Sequence, residues 1–310
     1  MLRLVSFLAA ALLTVAASAE VVGFSQTGTD NDWRAAFTAN VRAEAKSRGI
    51  ELRLDDAHLS ADRQFAAVRR FIADGVDAII ISPVAVTGWT PVLAEARAAK
   101  IPVFIVSRSI DADPTLFAAR ISSDFNLEGR LAAAWLVQAS RGRCAIVELQ
   151  GPPGAGSAIE RHKGFAALIA QFPDMRIVRS EAGDFTEAGG QRAMAALIAA
   201  TDGLKDICAV WSHNDNMLLG AIPAMKAAGL RPGKDVLTVS VDGVAGIFRA
   251  MLAGDANASV ELKADIGKTI FDVVQNTWQG RHDYPKWVLI PSDLHTPDDA
   301  AKMLQRRSGS

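Results

Sequence analysis

The residues with chemistry to offer sit in one kind of place, just beyond short apolar runs. After 21-VVGFSQ-26, in which Ser25 and Gln26 are themselves candidates, come Trp33 and Arg34, inside 30-DNDWRAAF-37. The run 101–107 ends in Ser107, Arg108 and Ser109, and the run 144–150 leads through a loop to Arg161. The stretch 183-GDFTEAGG-190 supplies Asp184 and Phe185, and 207–212 leads to His213, Asn214 and Asp215. Asp242 follows 236–241, and Glu261 ends 257–261. Guanidinium, carboxylate and amide groups offer paired donors or acceptors at fixed geometry, which suits hydroxyl pairs that both donate and accept. Flat rings such as Trp33 and Phe185 cover apolar C–H faces. The inventory therefore fits a neutral, polyhydroxylated small molecule. Each residue alone has a plainer reading. A charged residue after a strand is commonly a solvated loop residue or a helix cap, Asp242 before Gly243 fits a turn, and Trp33 or Phe185 fits a core. The functional reading rests on recurrence after strand upon strand. Helical neighbours point about 100° apart, so Trp33 and Arg34 reach one side together only at a helix's exposed first turn.

These residues need strands and helices to place them. Apolar, strand-like runs occur at 21–25, 51–54, 76–82, 101–107, 116–121, 144–150, 175–180, 207–212, 236–241, 257–261 and 286–290. Most are short, continuous and rich in Val and Ile, as strands buried on both faces of a parallel sheet are. Helical patterns lie between them. Trp33, Phe37 and Val41 form one stripe, and Phe65, Val68 and Ile72 another, with Arg69, Arg70 and Asp74 on the opposite side. Gly49, Gly75, Gly229 and Gly254 stand where helices should stop. The alternation predicts α/β architecture with doubly wound parallel sheets. The strands are too many for one comfortable sheet, and the pattern restarts near residue 144. Two similar α/β domains follow, with strand ends facing a shared cleft.

Composition narrows the classes. The formal net charge is −1 with no charge block, so nothing points to nucleic acid or an anionic membrane surface. The five histidines, at 58, 162, 213, 282 and 295, show no metal spacing. The stretch 151-GPPGAGS-157 follows a strand, but it lacks the Gly-Lys-Ser/Thr end of a phosphate loop and the Gly-x-Gly-x-x-Gly of a dinucleotide site. Neither a cofactor nor a catalytic constellation is called for. At the start, Arg3, the apolar run 4–15 and Ala17-Ser18-Ala19 read as a secretory leader, residues 1–19, cleaved after Ala19. Cys144 and Cys208 each begin a predicted strand. If those strands are parallel neighbours a bridge is geometrically open to them; otherwise they are two buried thiols.

The chain resembles the periplasmic sugar-binding proteins of ABC transporters, the ribose-binding-like group of type I periplasmic binding proteins. The carriers are 23-GFSQTG-28, 33-WRAAF-37, 75-GVDAIIISPVAVTGWTPVL-93, 101-IPVFIVSRSID-111, 148-ELQG-151, 160-ERHKGF-165, 213-HNDNM-217, 229-GLRPGKD-235, 241-VDGV-244 and 256-ANASVEL-262. The resemblance implies a monosaccharide ligand, galactofuranose-like or another hexose or pentose, with a polyol or other small polar molecule as the alternative. It implies that Trp33, Arg34 and Arg108 meet the sugar from one lobe and Arg161, Asn214, Asp242 and Glu261 from the other. Asp124 falls beside the hinge, and Phe185 is an aromatic wall. Three crossovers are implied near 122–126, 261–264 and 290–293. The lobes would be 20–123 with 263–290, and 124–262 with 291–310. Implied partners are an inner-membrane ABC permease and, in the alternative, a chemoreceptor or sensor kinase; the protein itself would be monomeric, periplasmic and not an enzyme. Two positions depart from the family pattern: Ser107 stands where relatives commonly carry aspartate, and Asp124-Phe125 stands where they often carry Asp-Asn.

Overall fold

The computed structural model describes residues 19–308. The predicted leader lies outside the described residues apart from Ala19. In chain order the elements are β1 (Val21–Gln26), α1 (Asp32–Ser47), β2 (Glu51–Asp56), α2 (Ala61–Ala73), β3 (Ala78–Ile81), α3 (Thr90–Ala98), β4 (Val103–Val106), β5 (Ala119–Ser122) and α4 (Phe125–Ser140). Then come β6 (Arg143–Gln150), α5 (Gly156–Ile169), β7 (Asp174–Ala182), α6 (Glu187–Ala200), β8 (Ala209–Ser212), α7 (Asp215–Ala227), β9 (Leu237–Asp242), α8 (Ala245–Leu252) and β10 (Ala258–Glu261). The chain ends with α9 (Gly267–Trp278), β11 (Trp287–Leu289), β12 (Leu294–His295) and α10 (Pro297–Ser308). Among the described residues no helix is long and apolar enough to cross a membrane.

The strands form two six-stranded sheets, ordered β11-β5-β4-β3-β1-β2 and β12-β10-β9-β8-β6-β7. Pairing is parallel throughout except between β10 and β12. The two orders match element for element, so the predicted pair of doubly wound α/β lobes is what the chain forms. The chain crosses between lobes after β5, after β10 and after β11. Every run expected to be a strand is one. The additional strand, β12, is two residues long and has no apolar run of its own; only its partner β10 makes it a strand.

Helix starts follow side-chain chemistry. Asn31, Ser60, Asp124, Thr186 and Asn214 each accept a first-turn backbone N–H. The stripe Trp33–Phe37–Val41 is buried, with Trp33 stacked on Phe37 at 5.2 Å. In α2 the buried face is Gln64, Ala67, Val68 and Phe71, rotated from the predicted stripe so that Phe65 and Ile72 lie only partly buried. The reason is polar: the Gln64 amide donates to the Ser82 carbonyl at 2.7 Å and accepts from Val84 N–H at 2.8 Å. That pins the loop after β3, which becomes part of the cleft.

Cys144 and Cys208 are joined, with their Cα atoms 5.4 Å apart. Their strands β6 and β8 are indeed parallel neighbours, which resolves the open choice between bridge and free thiols.

Candidate functional site

The carboxyl ends of the strands of both sheets meet at a narrow inner cavity. It is lined by Asn31, Trp33, Arg34, Ser107, Arg108, Phe125, Ser157, Arg161, Phe185, Asn214, Asp242 and Leu262. The polar wall is deeply buried: Arg34 is 6% exposed, Arg108 7%, Arg161 2%, Asn214 1% and Asp242 4%. The cavity is about 30 Å³, room for two or three waters at ~10–15 Å³ each. The facing strand ends of the two lobes leave only this small space between them at the polar wall.

Each wall residue is held by local structure. Arg34 donates from Nη1 to Ser82 Oγ at 2.8 Å and to Ser107 Oγ at 3.0 Å, and its guanidinium lies 4.9 Å from the Trp33 ring centre. Trp33 donates from Nε1 to the Leu262 carbonyl at 2.6 Å, tying α1 to the crossover after β10. Arg108 donates to the Pro83 carbonyl at 3.2 Å and sits 5.9 Å from the Phe185 ring centre. Arg161 donates from Nε to Glu128 at 2.9 Å and from Nη1 to the His213 carbonyl at 2.6 Å, with Nη2 3.7 Å from Asp242. Asn214 caps α7 through its oxygen and donates its amide N–H to the Phe185 carbonyl at 3.0 Å. Gly151 lets the Phe185 ring lie where it does, because a Cβ there would come within 2.1 Å of the ring. Ser107, Asp184, Phe185 and Asp242 have positive φ (59, 51, 66 and 128°). Backbone of that kind costs on the order of 1–3 kcal/mol per residue and collects at functional sites.

Electrostatically the cavity is short of acceptors. Burial lowers the Arg34 pKa to about 10, with Asp30 and Asp242 opposing. Burial, then Arg34 and Arg161, push Arg108 well below its ordinary value. Burial lifts the Asp242 carboxyl well above the usual carboxylate range, against the pull of Arg161. Arg108 Nε and Arg161 Nη2 are buried donors with no hydrogen-bond partner. Unmet donors on buried guanidinium groups are costly, and oxygen atoms entering the cavity would meet them. Arg108 hydrogen-bonds only backbone carbonyls and makes no ion pair among the described residues, with Asp30 and Asp242 acting on it only at longer range, so its burial weakens the empty protein. Arg108→Met is therefore expected to unfold at equal or higher urea than the parent when empty, because an apolar side chain replaces an unpaired buried charge. A clearly lower urea midpoint would sink that assignment of cost.

Of the residues picked from the sequence, the structure brings together Trp33, Arg34, Ser107, Arg108, Arg161, Phe185, Asn214 and Asp242. Asp124 and Glu261 do not line the cavity. The Asp124 carboxylate accepts the Leu127 N–H at the start of α4. Glu261 is turned to the C-terminal helix, where Arg307 donates to it at 2.5 Å, with His295 at 3.5 Å. Gln26 bonds Thr38 inside the lobe, and Asp215 is engaged by Ser240, Ser259 and the Val244 N–H. Sequence reasoning missed Asn31, Ser157 and Leu262 as wall residues, and singled out Phe125 only as a departure from the family pattern. Asn31 precedes the Trp-Arg pair, so its cap position was a usable signal; Ser157 and Leu262 carried none.

Behind the cavity, Glu148 accepts from His162 at 2.8 Å and His213 at 2.9 Å on one oxygen, and from Gln150 and Ser180 on the other. These three His and Glu residues could hold a metal by proximity, although their sequence spacing gives no hint of it. The hydrogen bonds argue otherwise. Gly151 N–H points at His213 Nδ1 at 3.4 Å, so Nε2 carries the proton and donates to Glu148. A metal on Nε2 would set Gly151 N–H against a second N–H.

Two matching α/β lobes, three crossovers and a buried polar cavity between facing strand ends define a two-lobed small-molecule binding protein. A family model described as "Periplasmic binding protein domain" matches residues 22–282. The galactofuranose-binding protein YtfQ of Escherichia coli is 46% identical over 99% of this chain and 97% of its own length. The crystal structure of a galactofuranose binding protein superposes with a TM-score of 0.91 at 46% identity, covering 94% of this chain and 99% of that one. The periplasmic component of the arabinose ABC transporter from Shewanella sp. ANA-3, bound to α- and β-L-arabinofuranose, also gives 0.91, at 50% identity over 93% and 96%. The chain belongs to the periplasmic binding protein family.

Proposed function

We propose that this chain is the substrate-binding component of an ABC sugar importer. Exported after cleavage behind Ala19, it captures a monosaccharide of the furanose class in the interlobe cavity and closes over it. The closed form is what an inner-membrane permease would engage, and the sugar leaves chemically unchanged. The observation that carries the reading is the convergence of Arg34, Arg108, Arg161, Asn214 and Asp242 from both lobes on one buried cavity, with donors on Arg108 and Arg161 unmet. Sugar oxygens would accept from the arginines, sugar hydroxyls would donate to Asp242, and the rings of Trp33 and Phe125 or Phe185 would cover the C–H face. Ser107 stands beside Arg34 as a neutral hydroxyl contact. The lobes would be 20–123 with 263–290, and 124–262 with 291–310, moving as a monomer about the three crossovers. Preferential affinity for the closed form supplies the driving force.

The test is calorimetric titration of the mature protein, stripped of ligand by unfolding and refolding, with galactose, arabinose, ribose and a polyol. Small-angle scattering follows at saturation. Micromolar binding of a sugar with a smaller radius of gyration is expected. No binding across the panel removes the sugar reading, and binding at unchanged radius removes closure.

Asp242 gives this reading a pH signature. In the empty cavity, burial makes its carboxyl hold a proton to higher pH than usual. Sugar hydroxyls donating to it favour the ionised form. Sugar uptake therefore releases a proton, and affinity rises with pH through the raised pKa. Calorimetry over a pH series, in two buffers of different ionisation heat at each pH, should differ by the released proton wherever the empty protein still holds it. Identical heats across the series would take Asp242 out of the hydrogen-bonded wall.

A further inference from the structure

Beside the inner cavity lies a second, outer chamber of about 140 Å³. The two share Asn31, Arg34, Arg108 and Phe185. The outer chamber adds carboxylates from each lobe, Asp30 and Asp184, and the side chain of Leu59. Asp184 is already engaged, accepting from Thr186 at 2.6 Å and from Arg192 at 2.8 Å. Asp30 has no hydrogen bond or ion pair among the described residues, and it stands near enough to Arg34 and Arg108 to act on both electrostatically. Arg108 Nε is buried and unpartnered. A buried free donor, Arg108, thus stands at the junction of the two spaces, and a solvent-exposed free acceptor, Asp30, lines the outer one beyond it. The outer space has room for several waters or for a short polar arm.

We propose that the outer chamber is a subsite for the exocyclic arm of a hexofuranose, with Asp30 and Arg108 gripping the arm's hydroxyls. The inference rests on the furanose reading above and makes it narrower. D-galactofuranose and L-arabinofuranose share their ring stereochemistry and differ in the arm: a two-carbon diol in the first, a single hydroxymethyl in the second. A diol offers one hydroxyl to Arg108 at the junction and a second to Asp30 beyond it. A hydroxymethyl reaches the junction alone. The outer chamber therefore acts as a length gauge that favours the hexose, and Asp30 and Leu59 determine specificity without touching the ring.

The experiment is titration of the parent, Asp30→Ala and Leu59→Trp with galactose and with arabinose. Each sugar's Kd is compared only with its own parent value, so the fraction of that sugar present as furanose cancels. Leu59 is 47% exposed, so a larger side chain can be carried there and fill the chamber. Asp30→Ala should raise the galactose Kd about tenfold, the worth of one charge-assisted hydrogen bond, and Leu59→Trp should raise it further. Arabinose should stay within about twofold in both, which also shows that the variants fold. Equal rises for both sugars, an unchanged galactose Kd, or a parent that binds arabinose and not galactose would each overturn the subsite while leaving the furanose reading intact. A parent that binds neither sugar would overturn the furanose reading and the subsite with it.

Discussion

Arg161→Ala is expected to lose sugar binding altogether and to destabilise the empty protein by about 3–5 kcal/mol, the cost of breaking a buried ion pair from one side. Arg161 works in two directions. One donor faces the cavity near Asp242, while two others hold Glu128 and the His213 carbonyl. Glu128 is 0% exposed and would keep only Ser292 Oγ, at 3.1 Å. Burial already holds the Glu128 carboxyl above its ordinary range, and Arg161 is what pulls it back down. Without the arginine its pKa rises further. A carboxyl raised in the folded state contributes stability at low pH and loses it as pH rises through that pKa. The deficit of Arg161→Ala should therefore be smaller near pH 4 than at pH 7. Pairing the change with Glu128→Gln should recover part of the loss, since the two sites are coupled. Urea unfolding of the four proteins at both pH values measures all of this. A single variant that unfolds at the parent's midpoint would mean the pair contributes nothing, and Arg161 would have to be read as a ligand residue alone.

The second large effect is on the disulfide. Cys144 and Cys208 close a loop of 64 residues, and the chain-entropy model assigns such a bridge about 4 kcal/mol. The loop spans β6, α5, β7 and α6, so the constraint bears on most of the second lobe's first half. Replacing both cysteines by alanine should lower the melting temperature by roughly 5–15 °C, as 1 kcal/mol shifts a domain of this size by a few degrees. Ligand affinity should hold, because the bridge lies at the amino ends of β6 and β8, the far edge of the sheet from the cavity. The measurement is calorimetric melting of the empty and sugar-saturated proteins. A shift under 2 °C would show that strand pairing alone restrains the loop. A lost affinity with little change in melting would show that the bridge sets the shape of the cleft.

Much was legible before any coordinates, and the reasons are local. A strand buried on both faces must be apolar along its length, so the runs at 21–25 or 101–107 announce β1 and β4 without help from the rest of the chain. A helix must stop its hydrogen-bond ladder somewhere, and Gly75 and Gly229, with φ of 65 and 80°, mark such ends. Strand ends in this architecture point to one side. For that reason Trp33, Arg34, Ser107, Arg108, Arg161, Phe185, Asn214 and Asp242 could be picked out as neighbours although they are spread along the whole chain.

What the residue types could not decide was direction and partnership. Asp124 and Glu261 sit at strand ends like the others, yet one turns back to cap α4 and the other is captured by Arg307 from a helix far along the chain. A carboxylate goes to the donors nearest it, and which donors are nearest is settled by packing. Strand β12 exists because β10 has an open edge beside it, not because Leu294 and His295 favour a strand. Gln64 displaced the predicted face of α2 because a buried amide found both its partners in a loop brought over from β3. The sequence by itself determined the two lobes, their strands and the chemical character of the cleft, since those depend on periodicity and on composition at strand ends. Tertiary structure alone decided which of these groups face one another, which are spent on holding the fold, and that a second chamber opens beside the first. Those outcomes depend on distances between segments that have no fixed relation until the chain is folded.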